Sequence, residues 1–301
     1  MELAPIALFV YNRLKHLQLT LESLQKNNLV KDSELFIFSD GPKDLSMKND
    51  VEKVRAYLGS IKGFKKVHIT ERPINLGLSQ SVISGVTGIV NEYGKIIVLE
   101  DDLVVSPYFL KFMNDGLSLY EDKEKIISIC GYMYPIKIKN NGVIFFRIPD
   151  CWGWATWKRG WDFFEPDGNK LLKELKEKNL FRQFNLNNAL NFAAMLKRQA
   201  EGKIDSWVIR WYASSFLNHK LSVYPSKSLV DNTGLDFSGS NCGFMGGYMT
   251  EISQEPVSIS EKPIEEDQAV LKAIEVFFRL HNLDILRRIV NKAMSFFKKG
   301  A

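Results

Sequence analysis

Three consecutive carboxylates, Glu100, Asp101 and Asp102, follow directly on the apolar run Ile96 to Leu99 and precede Ser106-Pro107, a helix start. A short apolar run bounded by polar residues reads as a buried strand, so the acids stand where a strand ends. In open α/β sheets ligands bind at the carboxyl ends of the strands, and clustered carboxylates suit a hard divalent cation, Mn²⁺ or Mg²⁺. The simplest cargo for such a cation is a diphosphate. The competing reading is a solvated loop whose acids favour the N-terminus of the following helix.

Other residues able to do chemistry fall at equivalent places. Tyr11, Asn12 and Arg13 follow the first apolar run, Asp40 follows the second, and Gly77, Leu78 and Ser81 lie where Asn75 to Ser81 opens the helix before the fourth. Turn chemistry accounts for each of them singly; their recurrence at successive strand ends is harder to obtain that way. The chain has no Gly-Lys-Ser/Thr phosphate loop and no Gly-x-Gly-x-x-Gly after the first strand, so phosphate is expected to be held through metal. Asp205 directly precedes a helical stretch, where an Asp serves either as an N-cap or as a general base. Trp152 and Trp154 flank Gly153; flat aromatic faces pack on sugar rings, and a glycine lets backbone approach a ligand. The alternative for these tryptophans is core packing between sheet and helices. His219 reads as a helix-end cation and is given no role.

The elements that must position these groups alternate. Pro5 to Val10, Leu35 to Phe38, Val67 to Thr70 and Ile96 to Leu99 have strand length and composition, separated by helical patterns at His16 to Leu24, Lys48 to Leu58 and Ser79 to Glu92. Such alternation predicts an α/β fold, a mostly parallel, doubly wound sheet flanked by helices. The second half carries expected strands at Ile126 to Ile129, Gly142 to Ile148 and Lys220 to Tyr224. Its expected helices are Lys170 to Lys178, Leu186 to Gln199 and Asp205 to Asn218. Asp231 to Gly247, rich in Gly, Ser and Asn, reads as an active-site loop. The expected organisation is one domain over 1–260, with a nucleotide half at 1–105 and an acceptor half at 106–260, followed by a helical tail at 261–301.

With 301 residues, 45% hydrophobic and 25% charged, the composition is that of an ordinary globular protein. A net charge of +5, spread except near the end, argues against a nucleic-acid binder. No apolar run reaches membrane-spanning length and no secretory signal pattern opens the chain, so a cytoplasmic location is expected. Cys130, Cys151 and Cys242 have neither disulfide-framework nor metal-ligand spacing. From Leu283 to Lys299 apolar residues at helical spacing, Phe296 and Phe297 among them, alternate with Arg287, Arg288, Lys292, Lys298 and Lys299. That pattern is a basic amphipathic helix, which either lies on an anionic membrane surface or packs on its own domain.

The order of these motifs, from about Pro5 to Gly243, resembles N-acetylglucosaminyltransferase I and its bacterial relatives, nucleotide-sugar-dependent inverting enzymes of the GT-A fold. The resemblance implies that Asp102, last of the Glu-Asp-Asp motif, is the direct ligand of Mn²⁺ or Mg²⁺. It implies that Tyr11, Asn12, Arg13, Gly77, Leu78, Ser81, Glu100 and Asp101 bind the nucleotide sugar and that Asp40 contacts uracil. Trp152, Gly153 and Trp154 then lie on the acceptor side. Asp205-Ser206-Trp207 corresponds to an Asp-Asp-Trp segment of which one acid remains, making Asp205 the base; Asn12 departs from the family residue. The implied reaction moves a sugar from a UDP donor, UDP-GlcNAc among the options, to a hydroxyl of a glycan or lipid-linked acceptor. A sugar nucleotidyltransferase and a non-catalytic carbohydrate-binding protein are the rival readings.

Overall fold

A computed structural model of the chain describes residues 2–138, 142–235 and 248–281. Four parallel strands build its first half: β1 (Ile6–Val10), β2 (Glu34–Ser39), β3 (Lys66–Glu71) and β4 (Lys95–Glu100). They are joined by helices α1 (Leu14–Leu24), α2 (Lys48–Leu58) and α3 (Leu78–Tyr93). β1 lies between β2 and β4, so both of its edges are paired, and all five of its residues are buried. Its side chains alternate: Ile6, Leu8 and Val10 enter one hydrophobic cluster, Ala7 and Phe9 the other, on opposite faces of the sheet. α3 rides close on the second face, where a Cβ at Gly85 would stand 2.7 Å from the Phe9 ring.

Register does the positioning. Val10 pairs with Ser39, Ser39 with Glu71, and Phe9 with Glu100. Because the four strands run the same way, the residues that follow them, Tyr11, Asp40, Arg72 and Asp101, emerge along one rim.

The remaining strands are β5 (Leu103–Val105), β6 (Ile126–Cys130), β7 (Val143–Phe146), β8 (Trp154–Trp157), β9 (Leu221–Pro225) and β10 (Val230–Asn232). The main sheet has the order β3-β2-β1-β4-β8-β6-β9-β7, with β8 antiparallel to both β4 and β6. Trp154, at the start of β8, therefore stands on a central strand. Gly153 turns the chain into it at φ +64°, packed so tightly that a Cβ would meet Val230 at 2.8 Å. Trp154, expected at the acceptor side, is 0% exposed and stacks on Trp207 at 5.2 Å within a group that includes Trp161 and Trp211. It belongs to the core, because alternation in β8 turns it onto the α3 face, and no sugar can reach it. Gly153 is likewise buried packing.

Of the helix expected over 186–199 only the part from Phe192 is helical, in Phe192–Ala200, and a separate short helix, Phe181–Phe184, precedes it. Leu186, Asn187 and Asn188 all have positive φ between them; asparagine tolerates that left-handed region better than most residues. Asn185 and Asn191 then cap the second helix through the Ala193 and Ala194 N–H groups.

The expected boundary at 260/261 does not separate two cores. Residues 268–281 are helical, and Val270, Leu271, Ile274 and Phe278 are buried in the main cluster. Glu266 pairs with Arg147, and Phe145 O accepts from the Asp267 N–H. The basic amphipathic pattern of 283–299 and Cys242 lie outside the described residues.

Candidate active site at the carboxyl rim

A cavity of about 580 Å³ opens at this rim, within the range of small-ligand sites. Tyr11, Asn12 and Arg13 line it from the end of β1, Asp40 from β2, and Glu100 and Asp101 from β4. Gly77, Leu78 and Ser81 close it from the start of α3, and Asp205 reaches in from the second half of the chain. Asp102, Trp152, Gly153 and Trp154 are not among its lining residues.

The acid triplet is already partly neutralised. Arg13 Nη2 donates to Asp101 Oδ1 at 2.5 Å and to Asp102 Oδ2 at 2.8 Å. The Tyr11 N–H donates to Asp101 Oδ2 at 3.2 Å. Burial tends to lower the Arg13 pKa, but the two aspartates outweigh it and raise it. Burial, followed by the charges of Asp102 and Asp101, pushes the Glu100 carboxyl up to about 8. Asp101 is raised as well, chiefly by burial, against the pull of Arg13. Asp102 is 6% exposed, lying under Arg13 and a short turn at Thr233–Leu235. That turn is delivered by β10, which pairs antiparallel with β5; Thr233 donates to Asp102 O through both N–H and Oγ1.

Among the described residues no group of three or more acids, histidines or cysteines is arranged around a common ion position. The donor set nonetheless fits a hard cation in kind, since all three side chains offer hard carboxyl oxygens. Glu100 and Asp101 present theirs to the cavity, and Asp102 holds its Oδ2 behind Arg13.

Asp40 does two things. It lines the cavity, and its oxygens accept from the backbone N–H groups of Gly41 (3.1 Å), Leu76 (2.9 and 3.1 Å) and Gly77 (3.0 Å). A Cβ at Gly41 would stand 2.5 Å from the Ile74 carbonyl carbon, so glycine is required where these two loops touch. Asn75 Nδ2 completes the junction by donating to Gly41 O at 2.8 Å.

Sequence reasoning missed Arg55, Arg72 and Lys43. Arg55 donates to the carbonyls of Asp40 and Arg72, and Arg72 to Ser81 Oγ, Ser81 O and Ser84 Oγ. The Ser81 hydroxyl is thereby engaged as well as facing the cavity. Arg72 had a signal, since it follows β3 as Arg13 follows β1. Lys43 lines the cavity, and its N–H donates to Tyr11 Oη at 3.0 Å.

Asp205 does not cap its own helix, Trp207–Leu217, whose N-cap Ser206 makes no side-chain capping bond. Its Oδ2 accepts instead from the Ser79 N–H at 3.3 Å, at the start of α3, and a Cβ at Gly77 would lie 3.1 Å from it. Arg210 braces the same turn, donating to Ser79 Oγ at 3.0 Å. Among the described residues Asp205 Oδ1 takes no hydrogen bond, and the residue is exposed.

Trp152 is half-buried and meets Tyr132 edge-on at 4.6 Å. Its N–H donates to Asp150 Oδ1 at 2.7 Å, and burial pushes the Asp150 carboxyl up to about 7. The neighbouring Cys151 feels the charges of Glu100 and Asp102, so this segment borders the acid triplet.

Residues 6–204 match the family model described as Glycosyl transferase family 2. No curated relative matches the chain. Among solved structures, that of S. aureus TarS is similar at 16% identity and a TM-score of 0.32, over 46% of this chain and 24% of TarS. UDP-glucose pyrophosphorylase complexed with UDP-glucose is similar at 10% identity and a TM-score of 0.36, over 74% of this chain and 90% of that one. At these scores neither likeness bears on activity.

Proposed function

The chain belongs to glycosyl transferase family 2, and from that premise we propose that it transfers a sugar from a UDP donor to an acceptor hydroxyl with inversion. The observation that carries this reading is a single cavity at the carboxyl rim that brings Asp205 together with Glu100 and Asp101. Family membership also sets aside the nucleotidyltransferase.

In this reading the nucleotide lies over β1 and β2, between Tyr11 and the junction that Asp40 clasps. Lys43 and Arg13 supply positive charge toward its phosphates. Glu100 and Asp101, with Asp102 once Arg13 releases it, would hold Mn²⁺ or Mg²⁺, which when bound would supply Lewis-acid neutralisation of the departing diphosphate. Asp205 takes the proton of the acceptor hydroxyl: Ser79 fixes one carboxylate oxygen and leaves the other to accept. Trp152, beside the triplet and partly exposed, offers an aromatic surface to the acceptor. A glycan or lipid-linked saccharide fits this role. The basic amphipathic sequence at 283–299 supports contact with an anionic membrane surface, and no helix of the described residues is long and apolar enough to cross a membrane.

A panel of UDP-sugars, tested by thermal shift with and without Mn²⁺, examines the reading. A ligand at 100 times its Kd raises stability by about 2.7 kcal/mol, which is readily measured. One UDP-sugar stabilising only with Mn²⁺, and losing its sugar to an acceptor or to water, is the expected outcome. A protein that neither binds nor consumes any donor would be the non-catalytic carbohydrate binder instead.

A further inference from the structure

Arg13 pairs with two of the three acids and yet is itself incompletely satisfied. Its Nη2 bridges Asp101 and Asp102, while its Nη1 is buried and makes no hydrogen bond among the described residues. Gly234 presses on this group from outside: a Cβ there would lie 2.2 Å from Asp102 Oδ2 and 3.0 Å from Arg13 Nη1. Arg13 also lines the cavity. A guanidinium is a planar fork that suits the paired oxygens of a phosphate as well as those of carboxylates. A divalent cation arriving alone therefore meets a positive group that already holds the oxygens it needs.

We propose that Arg13 is a built-in counter-ion which keeps Asp101 and Asp102 closed to free divalent cation and yields them when a nucleotide diphosphate takes up its fork. Cation and nucleotide then bind as one unit. This rests on the donor-and-cation reading above. Coupling of this kind is reciprocal, so UDP tightens the cation by the same factor as the cation tightens UDP. The unpaired Nη1 is buried while Nη2 holds the aspartates, so the guanidinium has to leave them before a diphosphate can satisfy both arms of the fork.

The test titrates Mn²⁺ against wild type, Arg13→Gln and Arg13→Lys, each with and without UDP. Free Mn²⁺ is followed by its paramagnetic resonance signal and folding by circular dichroism. Wild type is expected to bind Mn²⁺ weakly alone and at least about tenfold more tightly with UDP, inside the usual range of such couplings. Arg13→Gln should bind Mn²⁺ alone about tenfold more tightly than wild type, with weaker UDP binding and little coupling. Arg13→Lys keeps the charge without the fork and should fall between them, which preserves the test should the Gln variant fold poorly. If wild type binds Mn²⁺ with UDP while folded Arg13 variants take up Mn²⁺ alone no better than wild type, the counter-ion proposal is wrong and the donor reading stands. If wild type binds neither Mn²⁺ nor UDP in any combination, both fall.

Discussion

Two carboxylates outside the acid triplet show how environment divides labour among like residues. Asp205 is exposed, held through one oxygen by the Ser79 N–H. Replacing it with Asn keeps an acceptor for that bond and removes the proton-accepting charge. Donor binding should stay near normal while transfer slows by about 10²–10⁴-fold, the usual range for loss of a general base. Full transfer by Asp205→Asn at saturating acceptor, in a steady-state assay, would leave Asp205 only its capping role at α3. Asp150 is the opposite case, raised from 3.8 to about 7 by burial. The folded protein keeps its proton up to about pH 7, whereas the unfolded chain releases it near pH 4. Stability contributed by this group is present at low pH and declines as pH rises through that window, by a few kcal/mol at most. Asp150→Asn, whose amide oxygen still accepts from Trp152, should flatten the decline. Denaturant unfolding at about pH 5 and about pH 8 measures it, and an unchanged pH difference in the variant would refute the assignment.

At the scale of elements, the site is a set of strand ends stitched across loops. Asp40 is the main stitch, joining the end of β2 to the turn before α3 through the N–H groups of Gly41, Leu76 and Gly77. Hydrogen bonds to a charged group contribute about 1.5–3 kcal/mol each, and orphaned N–H groups add cost. Asp40→Ala should therefore lower stability by on the order of 3 kcal/mol as well as weakening UDP binding. Loss of UDP affinity at unchanged melting temperature would make Asp40 purely a ligand contact. Such stitching explains what could be read from the sequence and what could not. Strand ends were legible because β1, β2 and β4 are apolar runs terminated by polar residues, and parallel register then aligns their C-termini without further information. The Asp40 clasp was not, since Leu76 and Gly77 lie 36 and 37 positions away and offer backbone groups with no side-chain signature. Nor was β8: Trp-Ala-Thr-Trp shows no apolar run or alternation that marks a strand, and its pairing between β4 and β6 depends on chain that comes before and after it. Arg13 was legible as a site residue, but its hold on two of the three acids follows only from β1 and β4 being neighbours.

For the whole molecule, the question is where the catalytic body stops. The helical stretch 268–281 buries Val270, Leu271, Ile274 and Phe278 in the main core, and Lys125 and Lys262 tie the segment before it to backbone carbonyls on either side. Each large apolar side chain fully buried stabilises by about 1.5–3 kcal/mol, so four of them contribute roughly 6–12 kcal/mol as an upper figure. That is comparable with the roughly 5–15 kcal/mol net stability of a typical domain. Ending the chain after residue 260 should thus leave a protein that does not fold cooperatively, whereas ending it after 281 removes none of these contacts. The shorter truncation should keep its melting temperature within a few degrees and still bind donor. On that surviving body, Val276 and Leu280 are exposed, 48% and 57%, on the helix that leads to the basic segment. If the amphipathic segment meets a membrane, removing 282–301 should reduce cosedimentation with anionic vesicles, and salt should weaken what binding the full chain shows, because part of the attraction is screened. Aggregation or a large drop in melting temperature on removing 282–301 would instead assign the segment to the fold, and equal vesicle binding by both forms would remove the membrane contact from the account.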